Sequence, residues 1–78
     1  MFIIKHRIQR RDGTVILEEF LPLSADNRNE CRPLMEELAK AYDRHDYKGE
    51  EDEWWGLNDA NPDEVHYWTP THVTPEPQ

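Results

Sequence analysis

The 78-residue chain is poor in the residues that build catalytic centres and cross-linked scaffolds. It has one cysteine, one serine and three glycines. A single cysteine cannot form an internal disulfide, and the scattered glycines form no phosphate-binding loop. The lone serine, Ser24, precedes a predicted helix and has no histidine-aspartate arrangement around it. We therefore expect neither a nucleotide-binding protein nor a serine hydrolase.

Long apolar stretches are also missing. No run approaches the roughly 20 residues that a membrane-spanning helix needs, and the N-terminal segment lacks the roughly 7–15-residue apolar stretch of a signal peptide. The single cysteine gives no sign of an oxidising compartment. We therefore expect a cytoplasmic protein. A chain of this length forms one domain with a small core, which leaves little room for a catalytic cleft, so we do not expect an enzyme.

Acidic residues outnumber basic ones by 17 to 9, and the two signs are unevenly placed. Residues 1–11 hold four bases and no acid, residues 12–47 have a net charge of −5, and residues 48–78 have −7. Such an excess of carboxylates repels nucleic-acid phosphates, so we expect no direct binding of DNA or RNA. It would attract a basic surface on another protein, and basic protein surfaces are often nucleic-acid sites.

Alternation of apolar and polar residues predicts a hairpin at the N-terminus. Residues 2–10 alternate with period two, and Asp12-Gly13 is a strong hairpin signal. A second strand is expected from about Thr14 to Leu21. Pro22 should end it, because proline cannot continue the hydrogen-bond ladder of a central strand.

The turn chemistry allows two registers for this hairpin. A two-residue loop pairs Ile8 with Leu17 and His6 with Glu19. A three-residue loop with a bulge pairs His6 with Glu18 instead. Both registers place His6 beside a carboxylate, and the sequence leaves the choice open.

An amphipathic helix is predicted for the middle of the chain. Pro33 is tolerated in a first helical turn but not in a helix interior. We therefore expect the helix to begin near Asn29, with that side chain as its N-cap, and to end near His45. The apolar stripe that should face the sheet has helical spacing and comprises Cys31, Met35, Leu38 and Tyr42.

The C-terminal half predicts two more strands. Residues 46–53 are expected to form a charged, exposed loop, followed by a strand at 54–57, a turn at 58–64 and a strand at 65–69. Pro70 should end the last strand and begin a flexible, proline-rich tail over residues 70–78.

The predicted fold is therefore α+β. Residues 1–69 form a small four-stranded antiparallel sheet in the order β-β-α-β-β, with one helix packed on one face.

The acidic run and the tryptophans that follow it suggest where a partner could bind. Side chains of adjacent strand residues point to opposite faces, so one tryptophan of the pair must face away from the helix. Tryptophan is enriched at binding hot spots, although aromatic packing across the sheet is the simpler interpretation. Charge runs commonly serve solubility, but carboxylates on a rigid surface could also imitate nucleic-acid phosphates. The predicted partner-binding residues are Glu50, Glu51, Asp52, Glu53, Trp54, Trp55, Asp59, Asp63 and Glu64.

No metal site or cofactor is expected. The four histidines have no metal-ligand spacing, and His6 is interpreted as half of a cross-strand pair. Cys31 has no paired base and is interpreted as a buried or incidental thiol.

In size, charge and lack of catalytic motifs, the chain resembles the small acidic inhibitors that bacteriophages encode, including anti-CRISPR proteins. The resemblance implies a non-enzymatic inhibitor of a CRISPR effector or another basic, nucleic-acid-handling bacterial complex. Inhibition would be by steric occlusion or by acidic nucleic-acid mimicry. The alternative is a small structural or assembly protein that acts as a homo-oligomer, for example a homodimer.

Overall fold

One antiparallel sheet carries a single helix on one face. The computed structural model describes residues 1–50 and 52–74. The five strands lie in the order β2-β1-β5-β4-β3. The elements are β1 (Phe2–Arg10), β2 (Val15–Ala25), α1 (Arg28–Ala39), β3 (Arg44–Lys48), β4 (Glu53–Leu57) and β5 (Glu64–His72). The α+β prediction is confirmed, but with five strands instead of the four expected.

The β1–β2 hairpin combines features of both predicted registers. Its loop has three residues and ends at Gly13, whose φ of +96° favours glycine. Gln9 accordingly pairs with Val15. A bulge then shifts the ladder by one residue, so that His6 pairs with Glu19, as expected for a two-residue loop. The bulge, and not the turn, decides which carboxylate lies beside the histidine.

Two prolines do not end their strands as predicted. β2 runs through Pro22 because it is an edge strand, where a missing N–H need not disturb a ladder. β5 runs through Pro70, which pairs with Ile4 of β1. The pairs between β5 and β4 reach only as far as Trp68, so Pro70 has a neighbouring strand on one side alone. Residues 70–72 thus belong to the sheet, and 75–78 of the predicted tail lie outside the described residues.

The helix begins and ends earlier than predicted. Its N-cap is Asn27, whose side chain accepts a hydrogen bond from the Glu30 backbone N–H at 3.0 Å. Pro33 therefore lies in the second turn and leaves the carbonyl of Asn29 without the usual i+4 donor. The helix ends at Ala39 rather than near His45.

The strand that the sequence did not predict is β3. Its residues were expected to form the helix end and an exposed loop, because charged side chains dominate the segment. They adopt a strand by pairing antiparallel with β4, with Tyr47 opposite Trp54 and Asp46 opposite Trp55. A short charged strand of this kind forms only when a neighbour supplies the ladder.

The core lies between the helix and the sheet. Of the predicted stripe, Cys31 and Met35 are fully buried and Leu38 is half-buried, as expected, but Tyr42 lies beyond the end of the helix and packs on the same cluster from there. Trp54 also packs on this cluster. Within the described part of the chain, no helix is long and apolar enough to cross a membrane. The buried cluster is Ile4, Cys31, Met35, Ala39 and Trp68.

Candidate protein-interaction surface

Asp52, in the middle of the acidic run, is turned into the molecule. It is 8% exposed and accepts a hydrogen bond from the Tyr47 hydroxyl at 2.7 Å. Its carboxylate oxygens lie 3.3 Å from Nε of Arg28 and 3.3 Å from Nε of Arg32. The charge of Asp52 is thus met by two cations of α1, and the contact fastens the helix to the turn between β3 and β4.

Glu53 is likewise internal, on the opposite face of the sheet. It is 4% exposed and accepts a hydrogen bond from the Thr69 hydroxyl at 2.9 Å. Nη2 of Arg7 lies 3.6 Å from the same carboxylate oxygen, and the Arg7 guanidinium stacks over the Tyr67 ring at 4.7 Å. Asp52 and Glu53, two of the predicted partner-binding carboxylates, are therefore buried and paired within the molecule. Glu50 is exposed, and Glu51 lies outside the described residues.

The two adjacent tryptophans face opposite sides of the sheet. Trp54 faces the helix, packs on the core and lies 5.5 Å from the Tyr47 ring. Trp55 is half-buried on the other face, which no described helix covers. Its neighbours across the strands are Tyr67 on β5 and Asp46 on β3. Trp55 is thus the tryptophan of the pair that a partner could reach.

The loop between β4 and β5 is held against the start of β3. The Asn58 side chain accepts from the Asp43 N–H at 3.2 Å, and the Asp59 N–H donates to the Asp43 carboxylate at 2.9 Å. Nε of Arg44 donates to Asp59 at 2.8 Å. These hydrogen bonds hold the carboxylates of Asp43 and Asp59 in place. Of the remaining predicted residues here, Asp63 is exposed and Glu64 is half-buried.

The sheet order separates the charges of the chain. Residues 43–64, which contain β3, β4 and their flanking loops, hold nine acids and two bases, a net charge of −7. Residues 1–25, which contain β1 and β2, hold four bases and three acids, a net charge of +1. Because β3 and β2 are the two edges of the sheet, one side is strongly acidic. We call residues 43–64 the acidic edge.

A polar cluster that the sequence showed only in part lies on the helix face. Nε2 of His6 forms a hydrogen bond of 2.9 Å with Nδ1 of His66. Nδ1 of His6 lies 3.1 Å from the Glu19 carboxylate. The Tyr42 hydroxyl is 3.2 Å from His66. Sequence reasoning paired His6 with a carboxylate of β2 but missed His66, because the meeting of the histidines depends on the β1–β5 register.

Burial shifts the pKa values of two side chains in this cluster. Burial, and then the neighbouring His6, lower the pKa of His66, while burial raises the pKa of Tyr42. The structure as described encloses no cavity beside these side chains. Among the described residues, no group of three or more histidine, cysteine or carboxylate side chains could hold a metal ion.

Cys31 lies in the first half of the helix and is fully buried against the core. Burial raises the pKa of its thiol, and the carboxylates of Asp52 and Glu30 raise it further. A thiol in this environment stays protonated and is a poor nucleophile.

Trp55 is the aromatic side chain of the acidic edge that lies on the face away from the helix. It is half-buried, with Asp46 of β3 beside it on one side and Tyr67 of β5 on the other. Comparison of the chain with protein-family models, curated proteins and solved structures finds no match.

Proposed function

We propose that this chain is a non-enzymatic inhibitor, of the kind that bacteriophages encode, which acts in the bacterial cytoplasm. Its target is a basic surface of a nucleic-acid-handling complex, such as a CRISPR effector. The observation that carries the proposal is the position of Trp55 on the uncovered face of the acidic edge. An aromatic anchor with the exposed carboxylate of Asp46 beside it suits a partner that is both basic and partly apolar.

Charge complementarity supports the choice of a basic partner. The acidic edge concentrates seven net negative charges in 22 residues. Its exposed carboxylates include Glu50 and Asp63, at opposite ends of the β3–β4 pair, and also Asp43, Asp46 and Asp59. A field of this sign speeds the approach of a basic protein and repels nucleic acid itself.

Steric occlusion is the mode of inhibition that we propose, in preference to mimicry of a phosphate backbone. A mimic needs a continuous track of free carboxylates, but Asp52 and Glu53 are paired inside the molecule. Arg44 neutralises Asp59, and Lys40 lies between Glu36 and Glu37 on the helix. The described carboxylates are therefore interrupted by cations, as a mixed binding surface would be.

The test begins with capture of targets by the tagged chain from bacterial lysate at low and high salt. We expect a basic, nucleic-acid-handling protein to bind at low salt and to be lost at high salt. The purified target should then lose nucleic-acid binding when the chain is added in stoichiometric amount. Capture of no such protein, or a captured target whose nucleic-acid binding is unaffected, would overturn the proposal.

Matched variants locate the surface. Trp55→Ala should weaken target binding by about 30-fold, the loss typical of a hot-spot residue. Phe20→Ala removes an exposed aromatic of the same sheet face near the other edge and should leave target binding unchanged. Equal losses in the two variants would contradict a site at Trp55.

A second pair of variants tests charge. Glu50→Gln with Asp63→Asn neutralises two exposed carboxylates of the acidic edge. Glu36→Gln with Glu37→Gln neutralises two on the helix. Only the first pair should weaken capture at low salt. An equal effect of both would indicate that net charge, and not the acidic edge, attracts the partner.

The structural or assembly protein expected as an alternative is favoured by a different observation, the exposed apolar side chains of β2. The two functions respond differently to salt. Apolar self-association persists or tightens at high salt, whereas binding to a basic partner weakens.

A further inference from the structure

The two edges of the sheet differ in how they resist pairing with another strand. β3 has five residues, and charged side chains occupy most of its positions. β2 has eleven residues and exposes a cluster of apolar side chains. Short, charged edge strands resist pairing, whereas long apolar ones invite it. The exposed apolar residues of β2 are Val15, Ile16, Leu17 and Phe20, with exposed fractions of 47%, 43%, 40% and 62%.

The helix covers only the second half of β2. Leu21, Leu23 and Ala25 pack against the core cluster. The first half, Val15–Phe20, is exposed throughout and has a single neighbouring strand, β1. This half is defined here as the open edge. A domain with a core this small gains stability when such a segment is covered.

The charged side chains that flank the open edge have partners within the chain. Arg11 donates to the Pro62 carbonyl, and Glu18 and Glu19 pair with Lys5 and His6 of β1, with the apolar residues between. When two copies run antiparallel about a two-fold axis near Ile16, Glu18 of each lies opposite Thr14 of the other and Glu19 lies opposite Gly13, so that no like charges meet. The apolar segments then meet at the centre. The sequence around Ile16 therefore matches a second copy of itself.

Long-range electrostatics favours the same arrangement. Residues 1–25 are nearly neutral, with a net charge of +1, while the acidic edge carries −7. Pairing through β2 leaves the two acidic edges at opposite ends of a ten-stranded sheet. With strands about 4.8 Å apart, they are separated by roughly 40 Å, several times the Debye length of about 8 Å. Pairing through β3 would bring the two −7 segments into contact.

We propose that a second copy of this chain pairs along the open edge, to form a two-fold dimer in which β2 lies antiparallel to β2. The dimer joins two sheets into one, buries the apolar side chains near Ile16 and leaves Trp55 of each copy free. This inference is independent of the proposed inhibitor function, because it uses the opposite edge of the sheet.

Analytical ultracentrifugation of the full chain tests the dimer. We expect a mass about twice the 9.4 kDa of the chain at concentrations of about 200 μM, within the range of weak, small interfaces. The dimer should persist at high salt because its centre is apolar. A wild-type chain that stays monomeric under these conditions would overturn the proposal.

Two lysine substitutions distinguish the edges. Ile16→Lys places a charge at the centre of the open edge, on a side chain already exposed, and should raise the dissociation constant at least about 30-fold. His45→Lys places the same charge on β3 and should leave the dimer intact. Circular dichroism checks that both variants are folded. A dimer that survives Ile16→Lys but not His45→Lys would assign the interface to β3 and refute the inference.

Discussion

Tyr47 donates a hydrogen bond of 2.7 Å to Asp52, a residue whose φ of +51° lies in the left-handed region. Acceptance of this bond by the carboxylate raises the pKa of Tyr47. The same carboxylate lies 3.3 Å from Nε of Arg28 and of Arg32. One acidic residue thus joins β3, the following turn and the helix.

Substitutions at Asp52 should separate its backbone role from its charge. Asp52→Ala should lower the free energy of unfolding by about 3 kcal/mol, since it removes a hydrogen bond to a charged acceptor and strains the left-handed turn. Asp52→Asn tolerates the turn and should cost about 1 kcal/mol. Glu50→Ala, in the same acidic run but exposed, should stay within about 0.5 kcal/mol of wild type. Urea denaturation measures all three, and equal costs at Asp52 and Glu50 would contradict the internal role of Asp52.

Gly56 is constrained by the ring above it. A Cβ at this position would lie 3.1–3.2 Å from three atoms of Tyr42. Gly56→Ala should therefore destabilise the fold by about 1–3 kcal/mol through overpacking, and by less when Tyr42→Ala is also present. Gly49→Ala is the matched control, because its Cβ would make an ordinary 3.5 Å contact with Tyr47. If the two alanine variants were equally stable by urea denaturation, the close approach of Tyr42 would have no energetic consequence.

The thiol of Cys31 should react with Ellman's reagent only when the chain unfolds. It is fully buried, and its pKa is raised by burial and by nearby carboxylates. We expect labelling at pH 8 to be at least about a hundredfold slower in native buffer than in 6 M urea. A Glu50→Cys variant supplies an exposed control thiol that reacts at once, while the second thiol reacts slowly. Two fast thiols in that variant would show that the helix does not protect Cys31.

Acidification should weaken the fold through His66. Burial and the adjacent His6 lower its pKa below the ordinary value of 6.5. Unfolded His66 therefore binds a proton more readily than folded His66, so stability is full above pH 6.5 and falls as the pH drops toward the folded pKa. His66→Gln should flatten this dependence in urea titrations between pH 7.5 and 5.5. His72→Gln, at an exposed position, should retain it, and a slope unchanged by His66→Gln would refute the assignment.

Local patterns predicted the elements whose formation depends on near neighbours. Period-two alternation and Asp12-Gly13 were sufficient for the first hairpin. Helical spacing correctly identified Cys31 and Met35 as the buried stripe. The predicted ends of β2 at Pro22 and of β5 at Pro70 were wrong, because the effect of a proline depends on whether its missing N–H faces another strand.

The candidate site was less predictable, because it depends on what comes together across the sheet. The acidic run looked uniform in sequence, yet Asp52 meets arginines of the helix and Glu53 meets Arg7 of β1. Only Glu50 of the described run stays exposed. β3 was missed because its pairing with β4 outweighs the weak strand preference of its charged residues.

The class of the fold, the buried positions Cys31 and Met35 and the opposite facing of Trp54 and Trp55 could be read from the chain alone. These follow from side-chain periodicity, which is a property of the local backbone. The assembled sheet was needed to show which tryptophan faces away from the helix, which carboxylates are paired with cations and which strands are the edges. These depend on the strand order β2-β1-β5-β4-β3, which brings together residues far apart in the chain and leaves others without a neighbour.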